Sequence, residues 1–319
     1  MSRLRLAVIG VGHMGRLHAQ KVSALAAAEP SVALVAVADA EAERSAEIAR
    51  QVGARGVVDF RELLAEIDAA IVAVPTVGHY QVVSEVLRAG VDVLVEKPIA
   101  ATLPEAEKLV AMARDGGRVL QVGHLEWFNA AMRKVAASIR RPRFVESHRL
   151  GPFRGRATDV DVVRDLMIHD LDLIQRLVGE EPVRIEAIGV PVITDRVDIA
   201  NARVGFPGGC VANLTASRVS STPMRRIRFF QRDGYFSVDF LEPAVAIARR
   251  VDSGPDGRPE IDWQRLAVEP GDALLSQLES FVEAVRTRSV RAGAAHQGLA
   301  ALRTALRVID AMPPLDDLR

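Results

Sequence analysis

The chain has 319 residues, enough for two domains or one domain with a large appendage, and 49% of them are apolar, enough for real cores. The 41 basic and 41 acidic residues balance to zero net charge, which removes the electrostatic case for nucleic acid or an anionic membrane surface as partner. One cysteine, Cys210, excludes an internal disulfide framework and a cysteine-based zinc site, and it fits a reducing compartment.

The N-terminus enters a strand pattern at once, without a basic segment, apolar core and cleavage site. No apolar run approaches membrane-span length. The expectation is a soluble cytoplasmic protein.

Residues 4–9 read as a short apolar strand. Gly10-Val11-Gly12-His13-Met14-Gly15 follows, and then a helix to about residue 28. This is a GxGxxG run between strand and helix, the context a dinucleotide-binding turn requires. Its glycines allow a tight turn, close approach of a pyrophosphate and close helix–strand packing. The helix N-terminus offers free N–H groups to the phosphates. Residues 32–38 form a second apolar strand, and Asp39 stands at its end. An acidic residue about twenty positions beyond the glycines is placed for a ribose diol, and a carboxylate there disfavours a 2′-phosphate. Asp39 therefore favours NAD over NADP. Capping of a helix over residues 41–51 is its structural alternative.

A short strand at 57–58, a helix over 60–67 and a strand over 69–74 come next. Pro75-Thr76-Val77-Gly78-His79 reads as a loop, with His79 a cofactor or substrate contact or a helix cap. A helix over 80–89 leads to a strand over 91–95, which ends in Glu96-Lys97-Pro98. A helix over 104–115 and a strand over 119–122 complete six strands alternating with helices. That pattern predicts a doubly wound parallel sheet, a Rossmann domain spanning 1–123.

Parallel sheets bind ligands at the carboxyl ends of their strands. Glu96 and Lys97 occupy such an end. Only four of the 41 basic residues are lysine: Lys21, Lys97, Lys108 and Lys134. Lysine can give up its proton and arginine effectively cannot, so Lys97 is a candidate for proton chemistry. A strand-end ion pair with Glu96 is the alternative.

After Gly123-His124-Leu125-Glu126-Trp127-Phe128-Asn129 the pattern changes. A helix over 129–139 precedes strands at 144–150, 184–190, 199–206, 210–218, 225–231, 235–240 and 244–250, with a flexible loop at 253–259. Most have no helix between them, so residues 124–319 form a second, α+β domain with a large, mostly antiparallel sheet. Two helices, about 272–288 and 296–312, close the chain and are expected to pack near the first domain. One helix interrupts the strands, from Val162 through Asp172. Asp165, His169 and Asp172 lie at i, i+4 and i+7 and should share a face, with Met167, Leu171, Ile174 and Val178 buried opposite. A carboxylate one turn before a histidine can orient its imidazole. A surface ion pair is the alternative. No further Cys or His has ligand spacing, so no metal is expected.

Three ordered features, Gly10-x-Gly12-x-x-Gly15, Glu96-Lys97-Pro98 and Asp165-x-x-x-His169, resemble the glucose–fructose oxidoreductase / inositol dehydrogenase / rhizopine catabolism (Gfo/Idh/MocA) superfamily along essentially the whole chain. The resemblance implies a nicotinamide-dependent dehydrogenase with Lys97, His169 and Asp165 around the oxidised carbon, and a cis Lys97–Pro98 bond. Gly10, Gly12, His13, Met14, Gly15, Asp39, Pro75, Thr76, His79, Glu96 and Lys97 become the candidate cofactor residues. Lys97, His124, Trp127, Asn129, Asp165 and His169 become the candidate substrate residues.

The runs 123–131 and 159–170 resemble the nucleotide-sugar branch, most like UDP-N-acetylglucosamine 3-dehydrogenases, whose 3-keto product goes to an aminotransferase. That branch has arginine where Trp127 stands and proline where Ala130 stands, so Trp127 is left to stack or pack. Arg133, Arg149, Arg154 and Arg156 are positive side chains available to a diphosphate, none of them singled out. The resemblance also implies a homodimer or homotetramer formed through the open face of the second sheet. A free sugar or inositol-type polyol is the alternative substrate. A non-catalytic nucleotide-sensing regulator is the alternative class, and Lys97, Asp165 and His169 argue against it.

Overall fold

The structure, a computed structural model, describes residues 3–153, 155, 160–251, 260–288 and 294–314. It divides into two compact units, Met1–Leu125 with Ala273–Leu299, and Glu126–Asp272 with Ala300–Arg319. No helix among the described residues is long and apolar enough to cross a membrane.

The first unit alternates β1 (Leu4–Ile9), α1 (His13–Ala28), β2 (Val32–Ala38), α2 (Ala42–Val52), β3 (Arg55–Val57), β4 (Ala69–Val72), α3 (Thr76–Arg88), β5 (Asp92–Val95), α4 (Leu103–Asp115) and β6 (Leu120–Val122). All six strands are parallel, in the order β3-β2-β1-β4-β5-β6. β4 and β5 are buried along their whole length, as strands covered on both faces must be. α4 starts where it does because Thr102 and Glu105 cap each other: the Glu105 N–H donates to Oγ1 of Thr102, and the Thr102 N–H donates to the Glu105 carboxylate.

Two segments change type relative to the sequence reading. The helix expected over 60–67 is a single 3₁₀ turn, Phe60–Leu63. α3 starts at Thr76 directly after Pro75, so Thr76 and His79 belong to a helical first turn instead of a loop. Proline suits a helix start because its missing N–H would have had no partner there.

The second unit contains α5 (Ala130–Ala136), β7 (Phe144–Leu150), a π turn (Val163–Met167), α6 (Ile168–Val178), β8 (Arg184–Val190), β9 (Ile199–Gly205), β10 (Val211–Ser217), β11 (Met224–Gln231), β12 (Gly234–Asp239), β13 (Ala244–Val251) and β14 (Glu260–Ala267). Its strands form one sheet in the order β14-β13-β12-β11-β7-β10-β9-β8, antiparallel except for β10 against β7. One face is apolar, with Val145, Leu214, Ile227, Phe229, Phe236 and Val245 buried in a core shared with α5 and α6. On the sheet, Phe144, Phe230, Tyr235 and Trp263 run as a ladder of ring contacts, and Trp263 is exposed.

β14 was not anticipated. It is an edge strand exposed along nearly its whole length, so its residues carry no core-facing alternation. The loop expected at 253–259 lies outside the described residues.

Two helices close the chain, α7 (Ala273–Thr287) and α8 (Ala294–Asp310). α7 returns to the first unit, where Leu278, Phe281, Val282 and Val285 join Ala19, Val22 and Leu25 of α1 in one core. The later part of α8 supplies Ala301, Ala305 and Val308 to the second core.

The β8–β9 connection is tied by Asp198, which is fully buried. Its carboxylate accepts the N–H groups of Val192 (2.8 Å), Ile193 (2.6 Å) and Thr194 (2.8 Å), and pairs with Arg218 at 3.0 Å. Burial opposes the charge, but the N–H donors of Thr194, Ile193 and Val192 outweigh it and hold the carboxyl at about 2. Asp198→Asn should therefore destabilise by about 1–3 kcal/mol, because donors are left facing an amide. A folded-state value below the ordinary one gives stability that is present above about 4 and lost as pH falls towards about 2. Thermal unfolding of both proteins across that acid range checks it: the gap between them should close as pH falls.

Candidate active site

A cavity of about 810 Å³ opens in the first unit at the carboxyl ends of the parallel strands. The β1–α1 turn supplies Gly10, Gly12, His13 and Met14 to its wall. Gly10 has φ +83°, and a Cβ there would lie 2.7 Å from the backbone N of Val74, so no other residue fits. A Cβ on Gly15 would collide with the carbonyl oxygen of Gly10; Gly15 does not line the cavity but lets α1 approach. A Cβ on Gly12, by contrast, would meet no protein atom within 4 Å. Gly12 is also the N-cap of α1 and gives it no side-chain cap. Open space beside uncapped helix N–H groups is the arrangement a pyrophosphate fits.

Asp39 lines the same cavity. Its Oδ2 accepts the Val11 N–H at 2.8 Å, and its Oδ1 accepts Glu41 N–H at 3.0 Å and Arg44 Nη1 at 3.2 Å. A carboxylate has about four acceptor positions. The one left on Oδ2 suits a ribose hydroxyl. Arg44 shares this wall and was not singled out from the sequence. The residues present therefore fit a nicotinamide dinucleotide.

Pro75, Thr76 and His79 line the cavity after β4. His79 is buried, and its ring nitrogens face the carbonyls of Pro98 (Nδ1, 2.7 Å) and Val74 (Nε2, 2.9 Å). Burial pushes its pKa down despite those carbonyls. Its one N–H donates to one of these carbonyls, so His79 braces the strand ends from the cavity wall.

Glu96 and Lys97 follow β5 on the same wall, and the Lys97–Pro98 peptide bond is cis. Lys97 is half-buried. Glu96 Oε1 meets His18 Nε2 at 2.7 Å. Burial pushes the Glu96 carboxyl up, but the His18 hydrogen bond and the nearby His18 and Lys97 charges bring it below its ordinary value.

In the second unit the cluster of Asp165, His169 and Asp172 takes a form the sequence did not predict. Residues 163–167 form a π turn, so Asp165 and His169 are not one regular α-turn apart. Both are half-buried. Asp172 does not share their environment: it is buried and paired with Arg176 at 2.7 Å. On the apolar side Met167, Leu171 and Ile174 are buried as expected, and Val178 is half-buried. Asp170, next to His169, makes a bidentate pair with Arg149 (Nε to Oδ2, 3.0 Å; Nη2 to Oδ1, 2.8 Å), and Arg149 Nη1 reaches Glu126 at 2.6 Å. Arg149 is thus committed to structure. Arg133 is exposed on α5, and Arg154, Arg156 and Asp159 lie outside the described residues.

The run before α5 is also structural in large part. Trp127 packs on the second core with the Arg176 guanidinium 5.4 Å from its ring centre. Asn129 caps α5 by accepting the Ala131 N–H at 2.9 Å. His124 is buried at the end of the first unit.

Residues 4–124 match the oxidoreductase family with an NAD-binding Rossmann fold, and residues 131–237 match the GFO/IDH/MocA C-terminal domain. The chain belongs to the Gfo/Idh/MocA oxidoreductase family. It is similar to the UDP-N-acetylglucosamine 3-dehydrogenase of Acidithiobacillus ferrooxidans, at 41% identity over 286 residues, covering 89% of this chain and 90% of that one. A solved structure of that organism's enzyme superposes with a TM-score of 0.90 at 39% identity, over 98% of both chains. The inositol 2-dehydrogenase of Rhizobium meliloti is 28% identical over 319 residues, covering 95% of this chain and 94% of that one. This Gfo/Idh/MocA member is a dehydrogenase of CH–OH groups with a nicotinamide-binding Rossmann unit.

Proposed function

We propose that the chain oxidises the C3 hydroxyl of UDP-N-acetylglucosamine to the 3-keto sugar with NAD. The observation that carries this reading is the 41% identity, over 89% of the chain, to a dehydrogenase named for that substrate and carbon. The bound cofactor supplies the hydride acceptor. The Gly12 turn and the α1 N-terminus hold its pyrophosphate. Asp39 holds the adenosine ribose diol. Lys97 takes the hydroxyl proton at Nζ, or His169 takes it at its imidazole, with Asp165 orienting that ring. The 3-keto product carries the carbonyl that an aminotransferase requires. Mass spectrometry of UDP-N-acetylglucosamine incubated with enzyme, NAD and a carbonyl trap tests the reading. The trapped 3-keto sugar is expected, and unchanged nucleotide sugar under conditions of demonstrable NAD binding would contradict it.

The preference for NAD rests on one carboxylate beside one guanidinium. Asp39→Asn removes the repulsion of a 2′-phosphate and leaves Arg44 to meet it. The ratio of kcat/KM for NADP over NAD should rise about 10-fold or more, the worth of one charge-assisted hydrogen bond. Steady-state kinetics with both cofactors measures it.

An inositol-type polyol is the second reading, favoured by the 28% identical inositol 2-dehydrogenase. Micromolar-range protection of the protein by UDP alone, against none by myo-inositol, separates the two.

A further inference from the structure

α1 does more than offer its N-terminus to a phosphate. Its buried stripe runs Gly15, His18, Ala19, Val22 and Leu25, and one member of that stripe is polar. His18 is 1% exposed, yet it sits among apolar helix positions. Its Nε2 lies 2.7 Å from Oε1 of Glu96, itself 9% exposed. The other carboxylate oxygen, Oε2, accepts the backbone N–H of Lys97 at 3.3 Å. Nδ1 of His18 is buried with no hydrogen-bond partner among the described residues. The tautomer that satisfies the pair therefore carries its hydrogen on Nε2 and donates it to Glu96. The chain also makes room for this carboxylate from the other side. A Cβ at Gly123 would lie 2.9 Å from Oε2 of Glu96, so a residue with a side chain there would displace it.

We propose that His18 is a positioning residue for the proton-transfer step: it fixes the Glu96 carboxylate, in its charged form, against Lys97. The proposal rests on the reading of Lys97 as the base. The physical reason is the cost of a buried charge. A buried carboxylate stays ionised only while donors face it. Among the described residues, the charged and titratable groups that act on Glu96 are His18 from α1, Lys97 beside it, and His79 from α3, which feels its charge. Of these, His18 makes the 2.7 Å hydrogen bond, and His79 spends its nitrogens on backbone carbonyls. Without His18, Glu96 would take up a proton or turn away, and Lys97 would lose its neighbouring anion. The orientation of Lys97 would then be less well held.

The test compares His18→Gln with His18→Asn and His18→Leu in the full chain. A glutamine amide can reach where Nε2 stands; an asparagine amide is too short, and leucine donates nothing. The Asn and Leu variants should lose about 10-fold or more in kcat, with the NADH dissociation constant unchanged. The Gln variant should keep kcat within a few-fold of the parent. A role in packing alone would rank the variants by volume, with Leu close to the parent and Asn the worst, and overturn the proposal. NADH fluorescence titration and thermal unfolding of each variant identify any that fails to fold, and the Gln-against-Asn comparison then decides. Lys97→Met run alongside separates the two levels of the argument. A dead Lys97 variant with indifferent His18 variants overturns the role of His18 alone. An active Lys97 variant overturns the reading beneath it.

Discussion

Lys97→Met should lower kcat by about 100-fold or more, with NADH affinity unchanged, because it removes a proton acceptor and keeps the stem that packs. Lys97 stands at the carboxyl end of β5 on the wall of the dinucleotide cavity, half-buried and directly after a buried carboxylate. Methionine matches the stem in length and leaves Glu96 paired with His18. The expected pattern is therefore a loss in kcat and in kcat/KM together, the mark of an interaction used in the transition state. Stopped-flow hydride transfer with UDP-N-acetylglucosamine, paired with fluorescence titration of NADH, measures both quantities. Turnover within a few-fold of the parent would assign the proton to His169, and His169→Ala would then carry the large effect.

Arg149→Met should destabilise the protein by about 3–5 kcal/mol, the usual result of removing one partner from a buried ion pair. Arg149 and Asp170 are 3% and 2% exposed, and Glu126 completes the cluster. Burial alone would push the Arg149 pKa down; the Asp170 and Glu126 carboxylates raise it instead, so it stays charged. Removing it leaves Asp170 with no counter-charge at the start of α6, one residue from His169. Glu126 suffers less, since its side chain retains 14% exposure and can turn to water. Adding Asp170→Leu to Arg149→Met should recover most of the loss, because an apolar pair replaces the ionic one. Chemical unfolding of the single and double variants measures the cycle. A double variant no more stable than the single would place the cost in packing instead of charge.

What could be read from the sequence was what short range determines. The strand–Gly10–Gly12–Gly15–helix turn and Asp39 are set within forty residues, so the first unit and its cofactor wall were visible before the fold was known. The antiparallel sheet was visible from turns and alternation. β14 was not, because an edge strand exposed along both faces has no alternation to display. The pairing of His18 with Glu96 was not, because it joins residues 78 positions apart and a histidine on a helix carries no sign of its partner. The return of α7 to α1 failed to show a definite partner for the same reason. Asp165, His169 and Asp172 were aligned on an α-helical period, and the π turn at 163–167 breaks that period. Arg149 looked available to a phosphate because the sequence does not reveal that Asp170 and Glu126 claim it. Trp127 was expected to stack or pack, and it packs beneath Arg176.

The most direct measurement is reduced-nicotinamide absorbance in near-neutral buffer with a carbonyl trap, supplying NAD and UDP-N-acetylglucosamine, then NADP, then free N-acetylglucosamine and myo-inositol. Reduction of NAD with the nucleotide sugar, and little with the other combinations, is the predicted result. Reduction with myo-inositol and none with the nucleotide sugar would contradict the substrate, and reduction of NADP in preference to NAD would contradict the role given to Asp39.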